Sequence, residues 1–232
     1  MSNSSSLLRI GYVLFPSMTA LDVFGPLDAL NYLSIQHPMT LSLLSTDMEP
    51  VSINGAIAGG VVHDTLANSS SPYLTEFIQP THTFANSPEL DVVIVPGGPG
   101  NRDFNGTQPH IDWLREHATL DQIDYLMSIC TGASMLARSG NIAGRNATTN
   151  KAAYTWVTSV EGAGDVKWVP KARWVVDGNL WTSSGVSAGT DMILGWIGHH
   201  YNASEQERVR RNMEWVSTNQ TDDPFAGYYG LA

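Results

Sequence analysis

The chain carries one cysteine, Cys130, in a setting suited to a nucleophile. Tyr125-Leu126-Met127-Ser128-Ile129 is an apolar run that stops at the thiol. Thr131-Gly132-Ala133 then opens a helix continuing through Met135 and Leu136. A nucleophile on such a sharp strand-to-helix turn stands at the carboxyl edge of a sheet, where open α/β folds bind ligands. Gly132 leaves room for strand and helix to approach closely. The positive end of the helix dipole under the sulfur predicts a cysteine that favours thiolate. A lone cysteine also fits the role of a small buried apolar residue.

A second segment can supply bare amides. Asp91 to Pro96 runs directly into Gly97-Gly98-Pro99-Gly100, and glycines after a buried strand can turn backbone N–H groups towards an anion. Gly97 and Gly98 are therefore candidates for an oxyanion or substrate-binding loop, although a plain glycine-rich turn has the same composition. Histidine offers less. His199 and His200 are adjacent, so on a helix they diverge by about 100° and cannot share a metal as an i, i+4 pair does. His63, His82, His110 and His117 stand in no ligand spacing. No metal and no cofactor are expected.

The elements that must position these groups alternate between strand and helix. Strands are expected at Leu7 to Phe15, Met39 to Ser45, Asp91 to Pro96 and Ile123 to Ile129. Val51 to Asp64 reads as two β-prone stretches around the hairpin signal Asn54-Gly55. Lys167 to Asp177 and Asn179 to Thr182 flank a second hairpin signal at Asp177-Gly178. Helices are expected at Pro109 to His117, Thr131 to Ser139 with Gly140 as its stop, Ala152 to Val160, and Ser187 to Tyr201. In Ala20 to Leu33, Pro26 lacks an N–H, so the main helix is expected to begin near Gly25-Pro26, with Leu21-Asp22 in the turn before it. On position alone Asp22 reads as a helix-start aspartate. The final helix should open at Ser204, with Glu207 completing a capping box. Alternation of this kind implies a mostly parallel sheet covered on both faces.

Composition narrows the classes. With 42% hydrophobic and 15% charged residues the chain is globular. Its net charge of −10 opposes nucleic acid and anionic membranes, leaving small molecules or a second copy of the chain as partners. One cysteine excludes an internal disulfide. No run reaches the roughly 18 apolar residues of a membrane span, and Met-Ser-Asn-Ser-Ser-Ser is unlike a signal peptide, so a cytoplasmic protein is expected. No linker divides the 232 residues; residues 1–232 read as one domain, with 1–6 a flexible tail and 204–232 a C-terminal helix and tail. The tryptophans, Trp113, Trp156, Trp174 and Trp196 among them, read as core and dimer contacts, Trp156 also as a candidate pocket wall.

Five blocks, in order, resemble the ThiJ/PfpI superfamily. They are Leu21-Asp22-Val23-Phe24-Gly25-Pro26, Asp91 to Gly98, Ser128 to Ala133, Gly144 to Thr149 and Ser187 to Met192. The resemblance spans about Ile10 to Tyr201. It implies a flavodoxin-like three-layer sandwich with a nucleophile elbow, related to class I glutamine amidotransferases and usually homodimeric. The first block combined with Cys130-Thr131-Gly132 is most similar to the isonitrile hydratase branch. That likeness implies that Asp22 lies beside Cys130 and that Asp22 and Thr131 take part in hydrating an isonitrile to an N-substituted formamide. A carboxyl group beside a thiolate in a closed pocket should have a raised pKa, so Asp22 could stay protonated near neutral pH and deliver a proton while Cys130 attacks. Thr131 would orient water or the adduct, and Gly98 would supply a second N–H.

Departures from the family matter too. Thr131 stands where protease-like members place histidine, and none of the seven histidines has glutamate two residues on, as amidotransferases require. Asn150-Lys151 follows the Ala-Thr-Thr block where many relatives have histidine. Only one helix and a tail are expected after the Ser-Ala-Gly block, unlike members fused to a helix-turn-helix region. Glyoxalase-like, deglycase-like or cyclase-type chemistry at the same cysteine remains an alternative, as does a non-catalytic redox sensor built on an exposed, low-pKa thiol.

Overall fold

The computed structural model describes residues 7–53 and 76–231. The first expected strand forms as β1 (Leu8–Val13) and the second as β2 (Met39–Ser45). They are joined by helix α1 (Ala20–Ser34). A short β3 (Val51–Ser52) pairs antiparallel with β4 (Phe77–Ile78), and β5 (His82–Thr83) follows. The expected hairpin at Asn54-Gly55 lies outside the described residues, as does the expected 1–6 tail. The valine-rich run becomes β6 (Val92–Val95), every residue of it buried. Helix α2 (Gln108–His117), β7 (Tyr125–Ser128) and α3 (Gly132–Ser139) come next. Gly140 closes α3 with φ 84°, a left-handed stop that glycine adopts without a Cβ clash.

Among the described residues the main sheet has seven strands. Its order needs two more, β10 (Trp174–Asp177) and β11 (Leu180–Ser183), which form the Asp177-Gly178 hairpin. The order is β10-β11-β7-β6-β1-β2-β5, and every neighbouring pair except that hairpin is parallel. Helix α5 (Ser187–His200), followed by α6 (Ala203–Asn212), packs with α1 on one face. Helices α2 and α3 pack together, with α3 against β6 and β7. Met192, Ile193, Trp196 and Ile197 of α5 are buried as their spacing implied. The result is the expected three-layer α/β sandwich. The chain leaves β1 towards β2 on one side and returns to β6 on the other, so the topological switch point lies between the carboxyl ends of β1 and β6. No helix among the described residues is long and apolar enough to cross a membrane.

Four local expectations differ from what forms. Helix α1 begins at Ala20, not near Pro26, so Asp22 lies in its first turn. Pro26 cannot donate to the Asp22 carbonyl four residues back, and the buried Tyr12 hydroxyl donates to that carbonyl instead. The tertiary bond satisfies the oxygen that proline leaves free, and the helix continues. Lys167 to Asp177 is not one strand: β9 (Lys167–Trp168) pairs with β8 (Asn146–Ala147) in a separate two-stranded sheet, and Pro170 interrupts the run before β10. Ala152 to Val160 shortens to α4 (Tyr154–Val157), where the Asn150 side chain caps the Ala153 N–H at 2.9 Å and β-branched Thr155, Val157 and Thr158 weaken propagation. Finally, α6 is capped by Asn202, whose side chain accepts from the Glu205 N–H at 3.0 Å; Ser204 is already inside the helix. The C-terminal segment adds α7 (Pro224–Tyr228), capped by Asp223.

Candidate active site

Register assembles the site. Val95 of β6 pairs with Ser128 of β7, and the Ile129 N–H donates to the Val95 carbonyl at 2.9 Å. The two chains therefore leave the sheet together, one as Pro96-Gly97 and the other as Ile129-Cys130. Cys130 turns with φ 56°, a left-handed conformation that is strained for a side-chain-bearing residue and persists only where the surroundings impose it. Here the Cys130 N–H donates to Ser184 O at 3.1 Å, and its carbonyl accepts from Thr149 Oγ1 at 2.8 Å. A Cβ on Gly132 would lie 2.3 Å from Val95 O, and one on Gly97 would lie 2.5 Å from Thr131 N and 2.8 Å from Cys130 Cβ. Only glycine permits either approach.

Asp22 enters the same space from α1. It is fully buried, and its Oδ2 accepts from the Gly97 N–H at 2.9 Å. Oδ1 has no hydrogen-bond partner of its own among the described residues, and the one side chain acting on the carboxyl is the Cys130 thiol. Burial raises Asp22 to about 7 from an ordinary 3.8, against the pull of the Gly97 amide and the thiol. The structure thus brings the early carboxyl to the sulfur.

The thiol departs from expectation. Cys130 is 5% exposed. Burial, then the Asp22 charge, push its pKa up to about 12, against hydrogen bonds from Thr131 N–H, Val186 N–H and the Asn150 side chain. Desolvation outweighs the dipole of α3, so the resting group is a thiol, not the thiolate expected from the helix end. The exposed, acidic cysteine required by a redox sensor is absent at this position.

The expected oxyanion amides are also engaged elsewhere. Gly97 N–H serves Asp22, and Gly98 N–H donates to Thr131 Oγ1 at 2.9 Å. The Thr131 hydroxyl returns to Gly98 O at 3.4 Å, and Asn101 Nδ2 holds Thr131 O at 2.8 Å. These bonds tie the glycine loop to the elbow, so Gly97, Gly98 and the Thr131 hydroxyl position the site instead of facing an open anion position. The groups that favour charge on the sulfur are Thr131 N–H, Val186 N–H and the Asn150 side chain. Sequence reasoning missed the last two. In the sequence Asn150 stands out only as the residue where many relatives carry histidine, and the approach of Val186 depends on the unusual backbone before α5, with φ 37° and ψ −85°.

Among the described residues no histidine is one of the groups acting on Cys130. His110 is buried, with Nε2 3.0 Å from Leu14 O and its pKa lowered to about 4 by burial. His200 stacks on Trp196. Trp156 carries Arg102 over its ring at 4.3 Å. Among the described residues no three of His, Cys, Asp and Glu are grouped as metal ligands. A cavity of about 670 Å³ is lined by Arg9, Leu90 and Ile123 at the amino ends of the strands, opposite the thiol. A cavity of about 270 Å³ lies on the thiol side, with Asn150 and Val186 in its wall.

A mostly parallel sandwich with a left-handed cysteine between strand and helix, and a buried carboxyl against the sulfur, defines a nucleophile-elbow α/β protein. Residues 9–198 match the DJ-1/PfpI family model; the chain belongs to that family. It is 33% identical over 187 residues to an isonitrile hydratase of Pseudomonas putida, an alignment covering 81% of this chain and 69% of that protein. It is 27% identical over 167 residues to the HTH-type transcriptional regulator GbdR of Pseudomonas aeruginosa, covering 70% of this chain and 44% of the regulator; this chain matches less than half of the regulator's length. A ThiJ/PfpI family protein from Pseudomonas syringae superposes with a TM-score of 0.71 at 20% identity, covering 98% of this chain and 86% of that one. Drosophila melanogaster DJ-1beta gives 0.68 at 18% identity, covering 90% and 98%.

Proposed function

We propose that this protein hydrates an isonitrile to an N-substituted formamide, with Cys130 as nucleophile and Asp22 as acid–base. The observation that carries the reading is the closed Asp22–Cys130 pair: a carboxyl raised to about 7 against a thiol raised to about 12, with no histidine among the described residues acting on the sulfur. Between those two values the pair holds one proton. The isonitrile carbon is an electrophile that also needs a proton, so one shared proton and one sulfur suit it.

In the first step Cys130 Sγ bonds to the isonitrile carbon while its proton passes through Asp22 to the same carbon, giving a thioformimidate, R–N=CH–S–Cys. In the second, Asp22 takes a proton from water as the oxygen adds to that carbon and delivers it to the nitrogen, giving R–NH–CH(OH)–S–Cys. The hydroxyl proton then passes through Asp22 to the departing sulfur, which releases R–NH–CHO and restores the thiol. Thr131 N–H, Val186 N–H and Asn150 stabilise charge on sulfur as it attacks and departs, the service that preorganised donors give a developing anion. The Thr131 hydroxyl keeps the elbow and the glycine loop in register.

Support comes from this geometry together with the likeness to the Pseudomonas putida isonitrile hydratase. The single-domain organisation over 1–232 and a homodimer belong to the same proposal, and light scattering tests the latter. Hydration of a panel of isocyanides and dicarbonyls by wild type, Cys130→Ser and Asp22→Ala tests the chemistry. Formamide is expected from wild type only. Formamide production surviving both substitutions overturns the mechanism, and turnover of dicarbonyls in place of isocyanides moves the protein to glyoxalase-like or deglycase-like chemistry.

A further inference from the structure

We infer that the 270 Å³ cavity beside the thiol is the subsite for the substituent on the substrate nitrogen, and that it selects an aryl group bearing a carboxylate. The inference deepens the isonitrile reading and rests on it for the identity of the reacting group. Ser184 connects the two spaces, since its carbonyl accepts from the Cys130 N–H at 3.1 Å and it lines the cavity, as do Asn150 and Val186, which also act on the thiol. A substrate whose carbon meets the sulfur therefore has this space next to it.

The far wall carries Phe225 and Tyr229 from α7 and the residue after it. Both are about half exposed, at 54% and 46%, and give a flat group two rings to lie against. The polar wall consists of donors. Arg173 is 94% buried by the complement of its 6% exposure, with Nε 2.7 Å from Asp191 Oδ2 and Nη2 3.1 Å from Ser187 Oγ. Its hydrogen bonds among the described residues leave Nη1 unused. The neighbouring Ser184, also buried, makes no hydrogen bond through Oγ among the described residues. Guanidinium can only donate, so these groups call for an acceptor.

Lys151 supplies positive charge behind them without competing for the ligand. Its Nζ is held by Thr148 Oγ1 at 2.6 Å, Ala172 O at 2.9 Å and Thr149 O at 3.1 Å, with Asp223 Oδ2 at 3.9 Å. The same Lys151–Asp223 contact fixes the start of α7, so the aromatic wall is anchored to the loop that bears Asn150. An uncommitted planar donor edge, a hydroxyl and two exposed rings match a benzoate-like group, and the Arg173 guanidinium repels an ammonium group.

Product analogues test this without turnover. Titration calorimetry on the wild-type protein would compare 4-formamidobenzoate, formanilide and 4-(aminomethyl)formanilide. The carboxylated probe is expected to bind at least ~10-fold more tightly than formanilide, about 1.4 kcal/mol, and the aminomethyl probe more weakly than either. Arg173→Lys should remove most of the carboxylate preference. Because Arg173 also holds Asp191, Ser184→Ala provides a milder second variant and should reduce the preference severalfold. Phe225→Ala should weaken all aryl probes alike, with the carboxylate preference kept. Equal affinity for 4-formamidobenzoate and formanilide, or binding of neither, overturns the subsite. Failure to hydrate methyl isocyanide overturns the reaction and leaves the binding comparison standing.

Discussion

Asp22→Asn separates the electrostatics of the site from its shape. Asparagine keeps the side-chain volume and an oxygen to accept the Gly97 N–H, and removes only the ionisation. Burial raises Asp22 from 3.8 to about 7, a shift of about 3 units. At 1.36 kcal/mol per unit, ionising this carboxyl costs the folded state about 4 kcal/mol relative to the unfolded chain. The sign follows from the direction: a raised folded pKa contributes stability in full below pH 3.8, and that contribution is lost as pH rises through about 7. Other titrating groups are common to both proteins and cancel in the difference. Urea unfolding of wild type and Asp22→Asn at half-unit steps from pH 4 to 8.5 should therefore show the variant gaining about 3–4 kcal/mol on wild type across the range. A difference that stays constant within about 0.5 kcal/mol would mean the carboxyl is not desolvated as described. The same variant should lower the Cys130 pKa from about 12, since the Asp22 charge is the second cause of its elevation; thiolate absorbance against pH reads this directly.

Other perturbations address single contacts. The kcat/KM for isocyanide hydration should rise about tenfold per pH unit up to about 7, where Asp22 loses its proton and the pair reaches its one-proton state, then level off; a flat profile from pH 5 to 8 contradicts the relay. Asn150→Ala removes a donor from the sulfur and should lower kcat about 10²-fold, with the thiol titrating higher still; unchanged kcat would show that the amide plays no part in turnover. Tyr12→Phe leaves the Asp22 carbonyl buried without its donor and should cost about 1–3 kcal/mol of stability by urea unfolding, whereas no loss would mean that α1 accommodates Pro26 in another way. Gly97→Ala forces a Cβ to within 2.5 Å of Thr131 N, and the resulting displacement of the elbow should reduce activity about 10²-fold; activity near wild type would show that the loop can yield.

Much of the architecture was legible because its signals are local. The run Asp91 to Pro96 is apolar on every residue, which only a strand covered on both faces accommodates, and β6 is that strand. Asp177-Gly178 sets a hairpin, Gly140 stops a helix, and an apolar run ending at Cys130 beside Gly132 marks the elbow. Asp22 was legible only through family likeness, because its meeting with Cys130 joins the first helix to the turn after β7, more than a hundred residues on.

Tertiary structure decided the rest. Pro26 sits inside α1 because Tyr12, on another strand, satisfies the carbonyl it abandons, a compensation no local rule contains. The chemistry of the sulfur was settled the same way. The helix dipole pointed to a thiolate, but desolvation depends on how completely other elements enclose the group, and β11, α5 and the Thr149-Asn150 loop all close over Cys130. The Gly97 and Gly98 amides found partners across the fold before any ligand could use them. Sequence determined which groups reach the carboxyl edge of the sheet; enclosure determined where their protons reside, because a pKa responds to everything within a few ångströms and sequence reports only the neighbours along the chain.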